Sequence, residues 1–393
     1  MLTVPRAIRT SNRAPMSRKR IAIACQGGGS QCAFVAGALD ALFVHGIQDQ
    51  VDIVGLSGTS GGAITAALAW VGLLKRAQGD TSPIGDRIIS CWKDLSAQTP
   101  QEIMFDKVCI DVLRLVEHGL LPSVARSPSS PQFQFWARMT AAMLGRPEFT
   151  DLRALLLKHI DFQELPALIR PDSPALLVGA GDVLQGNFKI FTSAKHEITV
   201  DSVLASAAIP TLFPAVRANG HAYWDGIFAT NPPIVALLQK HFMGTVPRPE
   251  EIWVIQVNPV QHDDVPEMPS DISDRRNHLA GNLSLQHELQ IVDMWNVLIQ
   301  EGGLTDAFRA RVGIDATEPI AVHFIRMSSA LQEGLDYPSK LSRQPDHIER
   351  LMADGEAQAN AFLAKLADGQ PPVPSEPDRL VESVEEPGSM WPT

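Results

Sequence analysis

Residues 51–74 read VDIVGLSGTSGGAITAALAWVGLL, and this stretch decides the fold. The apolar run 51–56 has the length and β-branching of a buried strand. Glycines and a serine at 58–62 break it sharply, and an alanine-rich helical pattern follows to about Leu73. The same order stands upstream: an apolar run at 20–24 (RIAIA), the triplet Gly27-Gly28-Gly29, then a helical pattern over 31–45. Two units of strand, glycine turn and helix predict a parallel sheet with crossover helices. Further apolar runs at 175–180, 252–257 and 320–325 supply later strands. The expected fold is α/β, a central mostly parallel sheet flanked by helices on both faces, with an inserted helical cap over 80–170. Within that cap, helical patterns at 104–117, 133–144 and 152–159 are broken by a Pro/Ser-rich hinge at 122–131, and Phe105, Leu121, Phe133, Phe135 and Trp136 read as core. Residues 262–278 read as a surface loop, and 279–298 as an amphipathic helix.

The chain has 393 residues, 45% hydrophobic and 20% charged, which is the composition of a globular protein. Its net charge of −11 disfavours nucleic acid as a partner, and attachment to a lipid surface would have to come from apolar contact. The cysteines Cys25, Cys32, Cys91 and Cys109 lack CxxC or metal-ligand spacing, so they read as buried thiols of a reducing, cytoplasmic compartment. No metal and no cofactor is expected. Residues 1–19 read as a disordered basic leader, since no apolar segment follows the arginines as a secretory signal requires. Residues 369–393, rich in proline and acid, read as a disordered tail, leaving 20–368 as the folded domain. No run reaches the length of about 20 apolar residues that a membrane span needs.

Chemistry concentrates at the two glycine turns. In Gly58-x-Ser60-x-Gly62 the serine sits where a strand turns into a helix, which exposes its Oγ, and the flanking glycines tolerate the tight packing of such an elbow. The helix that follows directs free amides and its positive dipole end at the serine. Gly27, Gly28 and Gly29 bring backbone amides into one small volume, the requirement for binding an oxyanion. A dinucleotide loop is the competing reading, but Cys32 stands where its third glycine belongs, and Asp52 begins its strand rather than ending it. A serine nucleophile needs a base. Asp225, in Tyr223-Trp224-Asp225-Gly226 after ASAAIPTLFP (205–214), is the best candidate. His323, inside an apolar strand pattern, is the alternative.

Taken in order, the glycine triplet, the GxSxG serine and the late Asp-Gly resemble the patatin-like phospholipases over about Arg20 to Ile325. The resemblance implies a Ser–Asp dyad without histidine: Ser60 as nucleophile, Asp225 as the base, Gly27, Gly28 and Gly29 as oxyanion hole, Gly58 and Gly62 in the nucleophile elbow. It implies a lipid acyl hydrolase, phospholipase A-like, that cleaves a lipid or phospholipid ester through an acyl-serine, with peripheral contact at a membrane or lipid surface as an open expectation. Three positions depart from the family pattern, Gln31 for a basic residue, Cys32 for a glycine and Ile227 for a small residue, and they bear on substrate choice. An aspartate titrates near about 3.9, too acidic for a good base at neutral pH, so burial beside Trp224 is expected to raise it. Two rivals remain: a Ser–His–Asp esterase using His323, and an inactive lipid-binding protein. Oligomeric state is open.

Overall fold

The structure is a computed structural model that describes residues 18–369 apart from 124–126, 211, 219, 263 and 313–317. Eight strands form one sheet: β1 (Arg20–Cys25), β2 (Asp52–Thr59), β3 (Ala175–Asp182), β4 (Asn187–Thr192), β5 (Val216–Ala218), β6 (His221–Asp225), β7 (Glu251–Gln256) and β8 (Ala321–Arg326). They are hydrogen-bonded along the path β5-β6-β3-β2-β1-β7-β8, with β4 also on β3. The pairs β1/β2, β1/β7, β2/β3 and β7/β8 are parallel; β3/β4, β3/β6 and β5/β6 are antiparallel. The mostly parallel sheet agrees with the sequence reading, and the short antiparallel strands β4, β5 and β6 are not legible there.

The longer helices are α1 (Ala33–Val44), α2 (Gly61–Ala77), α3 (Ile84–Leu95), α4 (Pro100–Glu117), α5 (Pro131–Leu144), α6 (Leu152–His159), α7 (Pro269–Gln300) and α8 (Pro345–Ala367). Strand alternation sorts the two faces of the sheet. Ile21, Ile23 and Cys25 of β1 join a core with Phe34, Leu42, Trp70 and Leu351 from α1, α2 and α8. Ala22 and Ala24 join a second core with Leu285, Leu289 and Val292 of α7. Helices therefore cover both faces. In α1 and α8, Gly37 and Gly355 let the two backbones touch: a Cβ on Gly355 would stand 2.1 Å from the Phe34 carbonyl oxygen.

Several expectations need correction. The segment 80–170 is not uniformly a cap, because Ile88, Cys91 and Trp92 of α3 and Leu155 and Leu156 of α6 belong to the main core. Helix α5 buries no residue, and Phe135 and Trp136 are 58% and 67% exposed, so they are surface rather than core. Leu121 is also exposed. Residues 269–278, read as loop, open the 32-residue helix α7, with Pro269 in its first turn where proline costs no hydrogen bond. Three cysteines are buried, but Cys109 is exposed on α4. The leader up to residue 17 and the tail from residue 370 lie outside the described residues. At the edge of the leader, Lys19 donates to Glu251 at 2.6 Å. Among the described residues no helix is long and apolar enough to cross a membrane.

Candidate active site

Strand β3 is the template on which the site assembles. Residues 180–182 of β3 pair with both β4 and β6, so those two strands lie on opposite edges of β3. Residues 177–179 pair with both β4 and β2, which puts β2 and β6 on one shared edge. The end of β2, Thr59, stands opposite Gly179, and the end of β6, Asp225, stands opposite Ala180. The residue that follows Thr59 is Ser60. Two chain ends far apart in sequence thus abut along one edge, and the Ser60 side chain comes close enough to the Asp225 carboxyl to lower its pKa.

Ser60 is one of two non-glycine residues with positive φ among the described residues, at φ 56° and ψ −131°. That conformation costs a residue with a Cβ of order 1–3 kcal/mol and is held by the surroundings. Its amide donates to Ser206 Oγ at 2.9 Å, and Ser206 Oγ donates to the Gly179 carbonyl at 2.6 Å. The Ser60 carbonyl accepts from Ala63 and Ile64, which starts α2 directly behind the serine. The elbow glycines are required by contact. A Cβ on Gly58 would lie 2.6 Å from the Gly62 carbonyl oxygen, and one on Gly62 would lie 2.3 Å from the Cys25 carbonyl oxygen.

Asp225 is 2% exposed, and this burial pushes its carboxyl up to about 7, against the opposing effects of the nearby Ser60 side chain and of the hydrogen bond from the Ile227 amide at 2.9 Å. The burial does not come from Trp224. Neighbouring strand residues face opposite sides, and Trp224 is 38% exposed. Ile227, one of the departures, meets the aspartate through its backbone amide.

The glycine loop lies against the serine: a Cβ on Gly27 would approach Ser60 Cβ to 2.9 Å and the Thr59 carbonyl oxygen to 2.5 Å. Its three amides are not equivalent. Gly27 N–H donates to Asn231 Oδ1 at 2.6 Å and is therefore unavailable as an oxyanion donor, a correction to the sequence reading. The Gly28 amide faces the Cys32 thiol, a weak acceptor whose pKa burial raises to about 12. Gly29, at φ 61°, opens a short 3-10 turn, Gly29–Cys32. Gln31 is fully buried and donates to Ser339 Oγ at 3.0 Å, so its side chain is directed at that serine.

A search of curated proteins gives no match. The family model described as patatin-like phospholipase matches residues 23–238. The chain belongs to this family. Among solved structures, the chain is similar to human GIVD cytosolic phospholipase A2 in complex with methyl gamma-linolenyl fluorophosphonate, at 20% identity and a TM-score of 0.25, over 46% of this chain and 24% of that one. It is also similar to ExoU of the Pseudomonas aeruginosa type III secretion system, solved in complex with SpcU. One of two such structures matches at 17% identity and TM-score 0.26 over 69% and 51% of the two chains, the other at 18% and 0.28 over 90% and 61%. The chain thus spans between a quarter and three-fifths of the length of these structures. In this patatin-like chain His323 cannot serve Ser60. Its register partner Trp253 pairs with Ile23, which pairs with Leu56, four residues short of Ser60 and three strands away, about 14 Å. Its Nε2 lies 3.6 Å from the Glu251 carboxylate.

The residues around the loop that sequence reasoning missed are Gln26, Asn231, Asn258, Asn282, Ser206 and Lys340, all buried. Two of them carried a hint, Ser206 inside the ASAAIPTLFP stretch and Asn231 in the Asn-Pro-Pro that follows the aspartate. Gln26 Oε1 accepts from the amides of Val257 and Asn258, both at 2.9 Å, and its Nε2 donates to Asn282 Oδ1 at 3.0 Å. These amides tie the loop to the end of β7 and to α7. Among the described residues no cluster of His, Cys, Asp and Glu is arranged to hold a metal.

Proposed function

We propose that this protein is a lipid acyl hydrolase of phospholipase A type that works through a Ser60–Asp225 dyad. The observation that carries the reading is a serine in a strained strand-to-helix elbow set, along one edge of β3, beside a buried aspartate raised to about 7. At neutral pH such a carboxylate is a competent base, whereas an ordinary one is too weak. Ser60 Oγ attacks the ester carbonyl and its proton passes to Asp225. The tetrahedral oxyanion is received by the amides of Gly28 and Gly29, assisted by the N-terminal end of α2. Collapse expels the alcohol, which takes the proton from Asp225, and leaves acyl-Ser60. Water then gives a proton to Asp225 and attacks the acyl carbon; collapse breaks the bond to Ser60 Oγ, which takes that proton back from Asp225, and the fatty acid is released.

A lipid substrate is supported by family membership together with the exposed apolar side of α5, Phe135, Trp136, Met139 and Met143, which suits contact with acyl chains at a lipid surface despite the acidic net charge. Four free cysteines support a reducing, cytoplasmic location. The test is the Ser60→Ala variant. It should lose p-nitrophenyl ester turnover and fluorophosphonate labelling while keeping its far-UV circular dichroism, and undiminished turnover by that variant refutes the assignment.

A further inference from the structure

The aim of the Gly28 amide depends on how the Gly27–Gly28 peptide is turned. In a trans peptide the C=O and N–H point in opposite directions, so whatever holds the Gly27 carbonyl also directs the Gly28 amide. Two buried side-chain amides hold it, Asn258 Nδ2 at 3.3 Å and Asn231 Nδ2 at 3.4 Å. Asn258 is itself oriented by a cation: Lys340 Nζ donates to Asn258 Oδ1 at 2.6 Å and also to Asn277 Oδ1. Lys340 is 4% exposed, and among the described residues no carboxylate forms an ion pair with it. An ammonium buried without a carboxylate in ion-pair contact is costly, and an apolar side chain would fill the same space without that cost.

The short turn that carries this lysine, Pro338–Leu341, grips the glycine loop elsewhere too. Ser30 Oγ donates to the Ser339 carbonyl at 3.0 Å, and Gln31 Nε2 donates to Ser339 Oγ. A Cβ on Gly29 would stand 2.2 Å from the Lys340 carbonyl oxygen. The turn lies well beyond residues 23–238, which the family model matches.

We propose that Lys340 is a positioning residue for the oxyanion loop, its charge relayed through Asn258 to orient and polarise the Gly27–Gly28 peptide so that the Gly28 amide becomes a stronger donor. This rests on the Ser60–Asp225 hydrolase reading. The ammonium pulls electron density from Asn258, whose Nδ2–H then binds the Gly27 oxygen more strongly, and the same peptide presents a more positive Gly28 N–H at its other end. The titratable groups that face Lys340 are the Cys32 thiol from the loop and Asp274 and His278 from α7. Cys32 is neutral, and burial holds His278 down at about 3, so it too is neutral, which leaves Asp274 as the acid facing the lysine. Burial lowers Lys340 to about 8. Below that pH the ammonium carries its charge; as pH rises through 8 it loses a proton, and the rate falls with it. Asp225 acts in the opposite sense, becoming an active base as pH rises through about 7.

The experiment uses the full chain with p-nitrophenyl butyrate, comparing Lys340→Met, Asn258→Ala and the double variant with Ser60→Ala as the blank. Losing one oxyanion donor costs about 100- to 1,000-fold, so losing its orientation is expected to lower kcat about 10- to 100-fold, with KM changed less than about threefold. The double variant should be no worse than the poorer single one, because both break one relay. The alkaline limb near pH 8 should disappear in Lys340→Met. Wild-type kcat in Lys340→Met, an unchanged alkaline limb in that variant, or losses that multiply in the double variant overturn the proposal. If Lys340→Met does not fold, the wild-type profile decides, since activity that stays level through pH 9 overturns it. Hydrogen exchange of the peptide spanning 26–32 gives a readout independent of catalysis. Faster exchange in Asn258→Ala and Lys340→Met supports the clamp, and unchanged exchange overturns it, whether or not the protein proves to be an esterase.

Discussion

Replacing Asp225 by Asn separates the cost of the site from its use. The carboxyl is raised from 3.8 to about 7 by burial, and each pKa unit corresponds to about 1.4 kcal/mol, so holding it ionised in the folded protein costs about 4 kcal/mol at pH above 7. The sign follows from proton counting. Between pH 3.8 and 7 the folded protein keeps a proton that the unfolded chain has released, so wild-type stability falls as pH rises through that window and levels off above it. The side-chain amide of the Asp225→Asn variant has no proton to lose. Its stability relative to wild type should therefore be near zero difference at pH 4 and grow to a gain of order 4 kcal/mol at pH 8.5. Urea denaturation at both pH values measures this, and ester turnover measured alongside should be lost. A variant no more stable than wild type at pH 8.5, or one that still turns over ester, would refute the argument that burial tunes this carboxylate as a base.

Asn231→Ala removes the partner of the Gly27 amide and leaves buried polar groups unmatched, which should cost about 1–3 kcal/mol in urea denaturation and lower kcat more than it raises KM. His323→Gln should leave turnover within about twofold of wild type, since His323 is strands away from Ser60; a loss of orders of magnitude would restore the histidine triad. Replacing Phe135 and Trp136 together by Ser should weaken binding to phosphatidylcholine vesicles, measured by flotation, and leave hydrolysis of a monomeric ester unchanged. Equal vesicle binding by that variant excludes α5 as a lipid contact.

The elements legible in the sequence are those whose signal is local. The glycine-punctuated strand-to-helix units at β1/α1 and β2/α2 follow from apolar runs and breakers, and their observed bounds differ by a few residues. Strands β5 and β6 escape because they are short, three and five residues, and take their pairing from each other and from β3 rather than from their own pattern. Asp225 therefore reads as a loop residue in the sequence, although it ends a strand. The apolar pattern of α5 points to core, but a periodic apolar face says only that a helix has a preferred side, and here that side faces outward. The start of α7 is hidden because its first turns are polar and carry Pro269, features shared by loops and exposed helix starts.

Residue chemistry alone named a serine in an elbow and a cradle of glycines, because each belongs to a short motif whose geometry is dictated within a few bonds, whereas the role of Asp225 came from the ordered resemblance to the patatin-like phospholipases. Tertiary structure decided what no local pattern encodes: that β2 and β6 end side by side on β3, that Asp225 is buried enough to titrate near 7, and that Asn231 already takes the Gly27 amide. It also brought Lys340, from a turn near the other end of the chain, beneath the same loop. Pairing, desolvation and long-range hydrogen bonding depend on which segments meet in space, and only the packed sheet and its covering helices determine that.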